Sequence, residues 1–204
     1  MTQPLTYIGI FVIAAFAFLL RVINLGLPKG LVFDEVYYVD AARDYLAYGV
    51  EVDGTKPEFI VHPPVGKWLI AVGIKFFGDD EFGWRISTAV AGVIAIIFIG
   101  LIAQRLFRSH FLTLLATFLG AVDGLALVHS RTSLLDNFLT VLILTATYFF
   151  IRRNYVVSAL FLGLALGTKW SAIYFLALFG CVALYRAFTH HTGRNLIKPT
   201  IGRL

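Results

Sequence analysis

The stretch YIGIFVIAAFAFLLRVINLGL, residues 7–27, is followed closely by FDEVYY, residues 33–38. The first stretch is long enough to be a membrane-spanning helix, because about 20 apolar residues cross the hydrocarbon core of a bilayer. The second places two adjacent carboxylates, Asp34 and Glu35, just beyond the predicted end of that helix. Charged groups beside a bilayer are costly and often serve a function. The pattern therefore indicates a membrane enzyme whose chemistry takes place at one end of its helices.

The composition of the whole chain predicts an all-α polytopic membrane protein. Of the 204 residues, 59% are hydrophobic, compared with about 45–50% in soluble domains. The third, fourth and fifth of the predicted spans are near the lower length limit for crossing a bilayer. We treat residues 1–204 as a single transmembrane domain. Its six predicted spans are 7–27, 85–104, 111–128, 135–151, 155–170 and 172–188.

Basic residues predict the orientation of these helices. Loops rich in arginine and lysine generally stay in the cytoplasm. The protein is thus predicted to be a multi-pass protein of the cell membrane, with a cytoplasmic N-terminus and an extracytoplasmic loop at 28–84. The net charge of +5 does not indicate nucleic-acid binding, because the cations are dispersed and no nucleic-acid motif surrounds them. One set of loops holds cations and no acid: Arg105, Arg108, Arg152, Arg153, Arg186, Arg194, Lys198 and Arg203.

The large loop is predicted to contain two helices, at 35–48 and 64–77. Pro63 and Pro64 suit the start of the second helix, and Gly78 suits its end. Each helix can present apolar side chains on one face, as helices that lie in the membrane interface do. A turn and an extended stretch are predicted between them.

Asp34 and Glu35 are the candidate catalytic residues. Asp34 could act as a general base towards a hydroxyl group, or it could cap the N-terminus of the helix that follows. Glu35 could be a second functional acid, or it could simply complement the dipole of that helix.

Six further residues are candidates for substrate binding: His62, Lys67, Arg85, Arg131, Asp136 and Lys169. Four of them, His62, Lys67, Asp136 and Lys169, also have a structural interpretation. The HPPVGK stretch, residues 62–67, could be a proline-led helix start with a snorkelling lysine. Ser133 and Asp136 fit a capping box, and Lys169 could be an interfacial anchor. Asp123 and His129 lie near the same predicted face, and Arg21 is expected to snorkel outwards or to pair with an acid.

The convergence of these charges on one membrane face predicts a lipid-linked phosphate substrate. Cations can hold a phosphate leaving group, and a carboxylate can accept a proton from the incoming nucleophile. Asp34, Glu35 and Asp136 could also ligate a divalent cation, but their spacing does not require one and no metal is predicted. The sequence contains no zinc, P-loop or dinucleotide-binding pattern.

Four motifs occur together in an order that resembles a known family: FDEVYY, HPPVGK, DGLALVHSRTSLLDNF at 123–138 and LGLALGTKW at 162–170. They are similar to the protein O-mannosyltransferases of the GT-C superfamily, particularly the actinobacterial members. The resemblance implies transfer of mannose from a polyprenyl-phosphate donor to Ser or Thr hydroxyls of exported proteins, with inversion in a single displacement.

The same resemblance implies roles for individual residues. Asp34 would be the base and Glu35 the second acid of its motif. His62 would match the histidine of the HPP element, and Asp136 the acid of the second outer loop. Arg131 and Lys169 would lie near the donor phosphate.

Family members have about twice as many spans, so the chain is expected to be the N-terminal part of a longer protein or a truncated product. Another GT-C transferase, with an aminoarabinose or arabinose donor, is the alternative within the enzymes. A non-catalytic lipid-binding or transport protein is the alternative outside them. A transporter would be expected to have charges buried at the bilayer midplane and broken helices there.

Overall fold

The computed structural model describes residues 3–54, 56–57 and 61–191. The predicted basic tail and part of the predicted extended stretch lie outside the described residues. In the described part, β1 (Val52–Asp53) pairs antiparallel with β2 (Lys56–Pro57). The rest of the regular structure is helical: α1 (Gln3–Val22), α2 (Glu35–Ala47), α3 (Val65–Phe77), α4 (Glu81–Phe107), α5 (His110–Val122), α6 (Gly124–His129), α7 (Leu135–Ile151), α8 (Tyr155–Leu166) and α9 (Ala172–His191).

Among the described residues, three helical segments are long and apolar enough to cross a membrane: Pro4–Val22, Glu81–Phe107 and Ala172–Thr189. The other apolar helices, α5, α7 and α8, have 13, 17 and 12 residues. At 1.5 Å per residue they extend about 20, 25 and 18 Å, less than the roughly 30 Å of hydrocarbon. The count of six spans therefore remains a prediction.

The predicted third span, 111–128, is interrupted in the structure. Helix α5 ends at Val122, and the Asp123 carboxylate accepts a hydrogen bond of 2.7 Å from the backbone N–H of Ala126. This side chain caps the N-terminus of the short helix α6, as aspartate commonly does. The predicted fifth span, 155–170, also ends early, at Leu166.

The loop helices α2 and α3 lie within one residue of their predicted ends. Gly49 and Gly78, which follow them, have positive φ angles of 75° and 101°, a conformation that glycine adopts readily. Helix α3 buries Ile70 and Ile74 and exposes Trp68 and others on its opposite side. This division matches an amphipathic helix.

Helix α4 connects the two ends of the helical bundle. It packs against α1, α3, α5 and α7, and its 27 residues extend about 40 Å. Its N-terminus lies beside the 28–80 segment, and we call this end of the bundle the loop end. Its C-terminus lies beside Arg105 and Arg108, and we call this end the arginine end. A buried apolar core that includes Ile70, Leu135 and Phe138 joins the loop helices to the bundle.

Candidate active site

Asp34 lies at the start of α2 with its carboxylate uncommitted to the helix. The side chain makes no capping hydrogen bond, so the interpretation of Asp34 as a side-chain cap is wrong. The Tyr38 hydroxyl donates a long hydrogen bond of 3.4 Å to Asp34 Oδ2. The preceding residue, Phe33, has a φ angle of 52°, which is unfavourable for a bulky side chain. Such backbone conformations are found most often at functional sites.

A cavity of about 270 Å³ opens beside the Asp34 carboxylate. It brings together two residues predicted from the HPPVGK motif with the acid of the FDEVYY motif. We call it the Asp34 cavity, and its lining residues are Asp34, Tyr37, Tyr38, Glu51, Val61, His62 and Lys67.

His62 faces this cavity as a neutral imidazole. Burial lowers its pKa from the ordinary value, and the positive charges of Lys169 and Lys67 lower it further. Its ring lies 6.2 Å from that of Tyr38. The buried Nδ1 atom has no hydrogen-bond partner within the described part of the chain. The described part of the chain thus leaves one hydrogen-bonding position of the His62 ring unused.

Lys67 does not snorkel to the surface. Its Nζ atom lies 2.5 Å from Glu51 Oε2, and both side chains are about 95% buried. The Tyr45 hydroxyl donates to the other oxygen of Glu51 at 2.8 Å. A lysine ammonium has three N–H donors, so Lys67 can still donate into the cavity that it lines. Sequence analysis missed Glu51, because its pairing with Lys67 depends on the course of the intervening loop.

Two tyrosines beside these acids are held in the protonated form. Burial raises the pKa of Tyr38, and the charges of Asp34 and Asp136 raise it further. Burial and the neighbouring Glu51 raise the pKa of Tyr45 in the same way. Both hydroxyls therefore remain hydrogen-bond donors to carboxylates at neutral pH.

Asp136 and Lys169 form an ion pair at the start of α7 and just beyond the end of α8. Lys169 Nζ lies 2.7 Å and 2.8 Å from the two oxygens of Asp136. Both charges affect the pKa of His62, which places the pair within electrostatic reach of the Asp34 cavity. The predicted capping box is absent, because the Ser133 hydroxyl donates to the Trp84 carbonyl instead.

The Trp170 indole N–H donates to the Val61 carbonyl at 2.9 Å, and the Val65 N–H donates to the Gly167 carbonyl at 2.9 Å. These bonds join the HPPVGK motif to the GTKW motif. Although the two motifs are far apart in the sequence, this contact brings them together. It explains why the charge of Lys169 lowers the pKa of His62.

Glu35 is in a different environment from its neighbour Asp34. Its two oxygens accept hydrogen bonds of 2.8 Å from Arg85 Nε and Nη2, and both side chains are fully buried. The backbone N–H groups of Val32 and Ser133 donate to the same carboxylate at 2.9 Å and 2.8 Å. Glu35 therefore has no free position for a substrate or a metal ion, and neither it nor Arg85 lines the Asp34 cavity.

Arg85 also donates to the backbone carbonyls of Leu25, Pro28 and Gly30 at 2.8–3.3 Å. It thereby ties the chain that leaves α1 to the start of α4. This geometry favours a structural role for Glu35 and Arg85 over the predicted catalytic and substrate-binding roles. We call these residues and their hydrogen-bond partners the Glu35 network.

Arg131 likewise binds the protein's own backbone. It donates to four carbonyls at the end of α1, at 2.7–3.2 Å: those of Leu20, Arg21, Ile23 and Asn24. The last carbonyls of a helix have no partner within the helix, and Arg131 supplies one. The structure therefore does not bring this arginine into the Asp34 cavity, where the predicted donor phosphate would lie.

Arg21 is fully buried and donates to the carbonyls of Ala17 and Ala121. It neither snorkels outwards nor pairs with an acid in the described part of the chain. That part also contains no group of three or more His, Cys, Asp or Glu side chains placed to hold a metal ion.

The chain is similar to known proteins over most of its length. A family model described as dolichyl-phosphate-mannose-protein mannosyltransferase matches residues 61–202. The polyprenol-phosphate-mannose–protein mannosyltransferase of Mycolicibacterium smegmatis is 34% identical over 231 residues, covering 94% of this chain and 45% of that protein. The enzyme of the same name from Mycobacterium tuberculosis is 34% identical over 216 residues, covering 89% of this chain and 41% of that protein.

A more distant relative, from Pseudomonas aeruginosa, is named undecaprenyl phosphate-alpha-4-amino-4-deoxy-L-arabinose arabinosyl transferase. It is 31% identical over 156 residues, which cover 71% of this chain and 28% of that protein. The chain thus spans less than half the length of these relatives. The family match covers most of the chain, and with the apolar helices it identifies a membrane protein. This chain belongs to the dolichyl-phosphate-mannose-protein mannosyltransferase family.

Proposed function

We propose that the protein transfers mannose from a polyprenyl-phosphate donor to Ser or Thr hydroxyls of exported proteins. The observation that carries the proposal is the uncommitted Asp34 carboxylate in a cavity that also contains His62 and Lys67. The names of the mycobacterial relatives support the donor and the protein acceptor.

In the proposed reaction, Asp34 accepts the proton of an acceptor hydroxyl as the hydroxyl oxygen attacks the anomeric carbon of mannose. The bond from that carbon to the phosphate oxygen breaks in the same step, and polyprenyl phosphate leaves. Because attack comes from the face opposite the leaving group, the anomeric centre inverts. A carboxylate within hydrogen-bond reach is suited to this proton transfer.

Two lysines are placed to stabilise the negative charge that develops on the leaving phosphate. Lys67 lines the cavity and retains N–H donors beyond its bond to Glu51. Lys169 is partly exposed, with 23% of its side chain accessible, so it can contact a substrate while remaining paired with Asp136. Fixed cations of this kind stabilise charge without reorganising during the reaction.

His62 is the candidate for positioning the acceptor. As a neutral ring it can accept a hydrogen bond at one nitrogen and donate one at the other. Its ring lines the Asp34 cavity together with Tyr38, and the two ring centroids are 6.2 Å apart. We therefore assign it to the hydroxyl or backbone of the acceptor polypeptide.

The proposal includes the membrane arrangement predicted from the charges. The loop end would face outwards, and the exposed apolar side chains of α3, such as Trp68 and Phe76, would lie in the membrane interface. A donor held in the bilayer by its polyprenyl chain would then reach the Asp34 cavity from the side.

The test is a transfer assay with membranes that contain the protein expressed from its complete gene. Labelled polyprenyl-phosphate-mannose and a Ser/Thr-rich peptide are the substrates. We expect Asp34→Asn to reduce transfer by about 100- to 10,000-fold. Asp40→Asn is the matched control, because Asp40 lies on the same helix with 74% of its side chain exposed, and we expect it to retain activity.

Normal transfer by the Asp34→Asn variant would remove Asp34 as the base. A second arm offers polyprenyl-phosphate-aminoarabinose, the donor class suggested by the Pseudomonas relative. Transfer from this donor alone would favour the alternative transferase. Transfer of neither sugar by the unmodified protein would favour a non-catalytic lipid-binding role. Chelation of divalent cations in the mannose arm would test whether a metal ion is needed.

A further inference from the structure

A second cavity, of about 460 Å³, lies at the arginine end of the bundle. It lies at the C-terminal end of α4, a helix about 40 Å long. It shares no lining residue with the Asp34 cavity, so it does not belong to the site described above. The ends of four helices enclose it. Its lining residues are Thr6, Tyr7, Leu101, Gln104, Arg105, Arg108, His110, Tyr148 and Arg152.

The charge in this cavity is of one sign. Three arginines line it, and none of them forms an ion pair within the described residues. At the loop end, by contrast, Arg85, Lys67 and Lys169 each have a carboxylate partner. Of the three cavity arginines, Arg152 lies over the ring of Tyr148 and donates to its hydroxyl at 3.3 Å.

The wall of the cavity also presents an imidazole ring, that of His110, which a buried threonine holds in place. The Thr6 hydroxyl lies 3.0 Å from His110 Nδ1, which leaves Nε2 of that ring available. The Thr113 hydroxyl donates to the Ser109 carbonyl at 2.7 Å and lies 2.8 Å from the side-chain amide of Gln104. Thr6 and Thr113 are both almost fully buried.

Helices α1 and α5 also begin at this cavity, and a helix N-terminus carries partial positive charge. The cavity therefore combines guanidinium groups, an imidazole and two helix N-termini. An oxyanion with several acceptor oxygens is the chemical complement of this set.

The surroundings of the cavity are apolar. Leu106, Phe107 and Phe111 follow its arginines along the chain, with 47%, 56% and 70% of their surfaces exposed. In a membrane protein, side chains of this kind contact lipid. Basic pockets between membrane helices are suited to anionic lipid head groups.

We propose that this cavity binds the phosphate group of an anionic ligand, with Arg105, Arg108 and Arg152 as its cationic contacts. An anionic phospholipid and a soluble phosphate ester share this chemistry. The apolar surroundings favour the phospholipid. This proposal does not depend on the proposed transferase activity.

The chain offers a matched pair of variants for the test. Arg108 and Arg153 both have left-handed backbone conformations, with φ angles of 51° and 61°. Glycine adopts this conformation more readily than arginine, so neither Arg108→Gly nor Arg153→Gly should destabilise the fold. Both remove one arginine from the same end of the bundle, but only Arg108 lines the cavity.

The experiment measures binding of short-chain phosphatidylglycerol and phosphatidylcholine to the purified protein in detergent, by native mass spectrometry. We expect preferential binding of phosphatidylglycerol. Arg108→Gly should weaken that binding about 10-fold or more, because a hydrogen bond to a charged group is lost. Arg153→Gly should leave it nearly unchanged. Arg105→Gln is a second cavity variant and should behave like Arg108→Gly.

Equal binding of the two lipids, or equal losses in Arg108→Gly and Arg153→Gly, would overturn the proposal. A third arm uses free glycerol phosphate and distinguishes the two sources of the phosphate. Its competition with phosphatidylglycerol at similar concentrations would assign a soluble phosphate ester to the cavity. Failure to compete, with the lipid preference intact, would assign the phospholipid.

Discussion

The Glu35 network and the Asp34 cavity contain carboxylates that are adjacent in the sequence, but these carboxylates differ in burial and in hydrogen bonding. Glu35 is fully buried and accepts four hydrogen bonds, two of them from Arg85. Asp34 is half-buried and accepts one long bond, from Tyr38. A carboxylate whose oxygens are all engaged holds the structure together, whereas one with free oxygens can take part in chemistry. The number of hydrogen bonds that each carboxylate accepts therefore distinguishes a structural role for Glu35 from a chemical role for Asp34. The sequence alone presents the two acids as a pair.

The largest effect expected from this comparison is on stability, through Arg85. Arg85→Met would leave the Glu35 carboxylate buried without its cation, and loss of one partner of a buried ion pair costs about 3–5 kcal/mol. The measurement is chemical unfolding of the purified protein in mixed micelles. Asp34→Asn in the same assay should change the free energy of unfolding by less than about 1 kcal/mol.

If both substitutions destabilised the protein equally, the distinction between the two regions would fail. The double variant Glu35→Leu with Arg85→Leu is a further control. It should be less destabilised than Arg85→Met, because no buried charge is left unpaired.

An intermediate effect is expected for Lys67, which is buried but also lines the Asp34 cavity. Lys67→Met leaves Glu51 with the Tyr45 hydroxyl as its remaining side-chain partner. We expect a loss of about 1–3 kcal/mol, smaller than for Arg85→Met, because Lys67 donates one hydrogen bond to its carboxylate, whereas Arg85 donates two and also binds three backbone carbonyls. Transfer activity should fall as well if Lys67 contacts the donor phosphate. A stability loss as large as that of Arg85→Met would place Lys67 with the Glu35 network.

The smallest effect concerns the pH dependence of stability through His62. Its pKa is lowered in the folded protein, so below the ordinary pKa of about 6.5 the unfolded chain binds a proton that the folded chain does not. Stability should therefore fall as pH decreases through this range. The test measures the melting temperature at pH 7.5 and at pH 5.5. Between these two pH values, the melting temperature of the unmodified protein should fall further than that of His62→Gln. Equal decreases in melting temperature for the two proteins would show that folding does not lower the pKa of His62.

Local signals predicted the loop helices well. The proline pair before α3 and the glycines after α2 and α3 mark their ends directly. The predicted span at 111–128 was wrong in its extent because hydropathy does not register a helix break. Asp123 falls inside the limits of that predicted span, and its side chain caps a new helix.

The sequence predicted which residues meet at the candidate site better than it predicted the role of each residue. The motifs that carry Asp34, His62 and Lys67 do meet at one cavity. The role of Arg131 could not be read from its motif, because its partners are backbone carbonyls at the end of α1. Every residue has a backbone carbonyl, so the sequence does not indicate which carbonyls a side chain will bind. The contact between Glu51 and Lys67 likewise has no signal in the sequence.

If α7 and α8 cross the membrane as predicted, their shortness has a consequence for the bilayer around the protein. A hydrophobic segment shorter than the hydrocarbon thickness draws the two leaflets closer together at its surface. Helix α8 extends only about 18 Å, and Lys169 and Asp136 lie at the loop end of the α7–α8 pair. Local thinning of the bilayer would bring the lipid phosphate groups closer to this ion pair. A lipid-linked sugar could then meet the protein without lifting its chain out of the membrane.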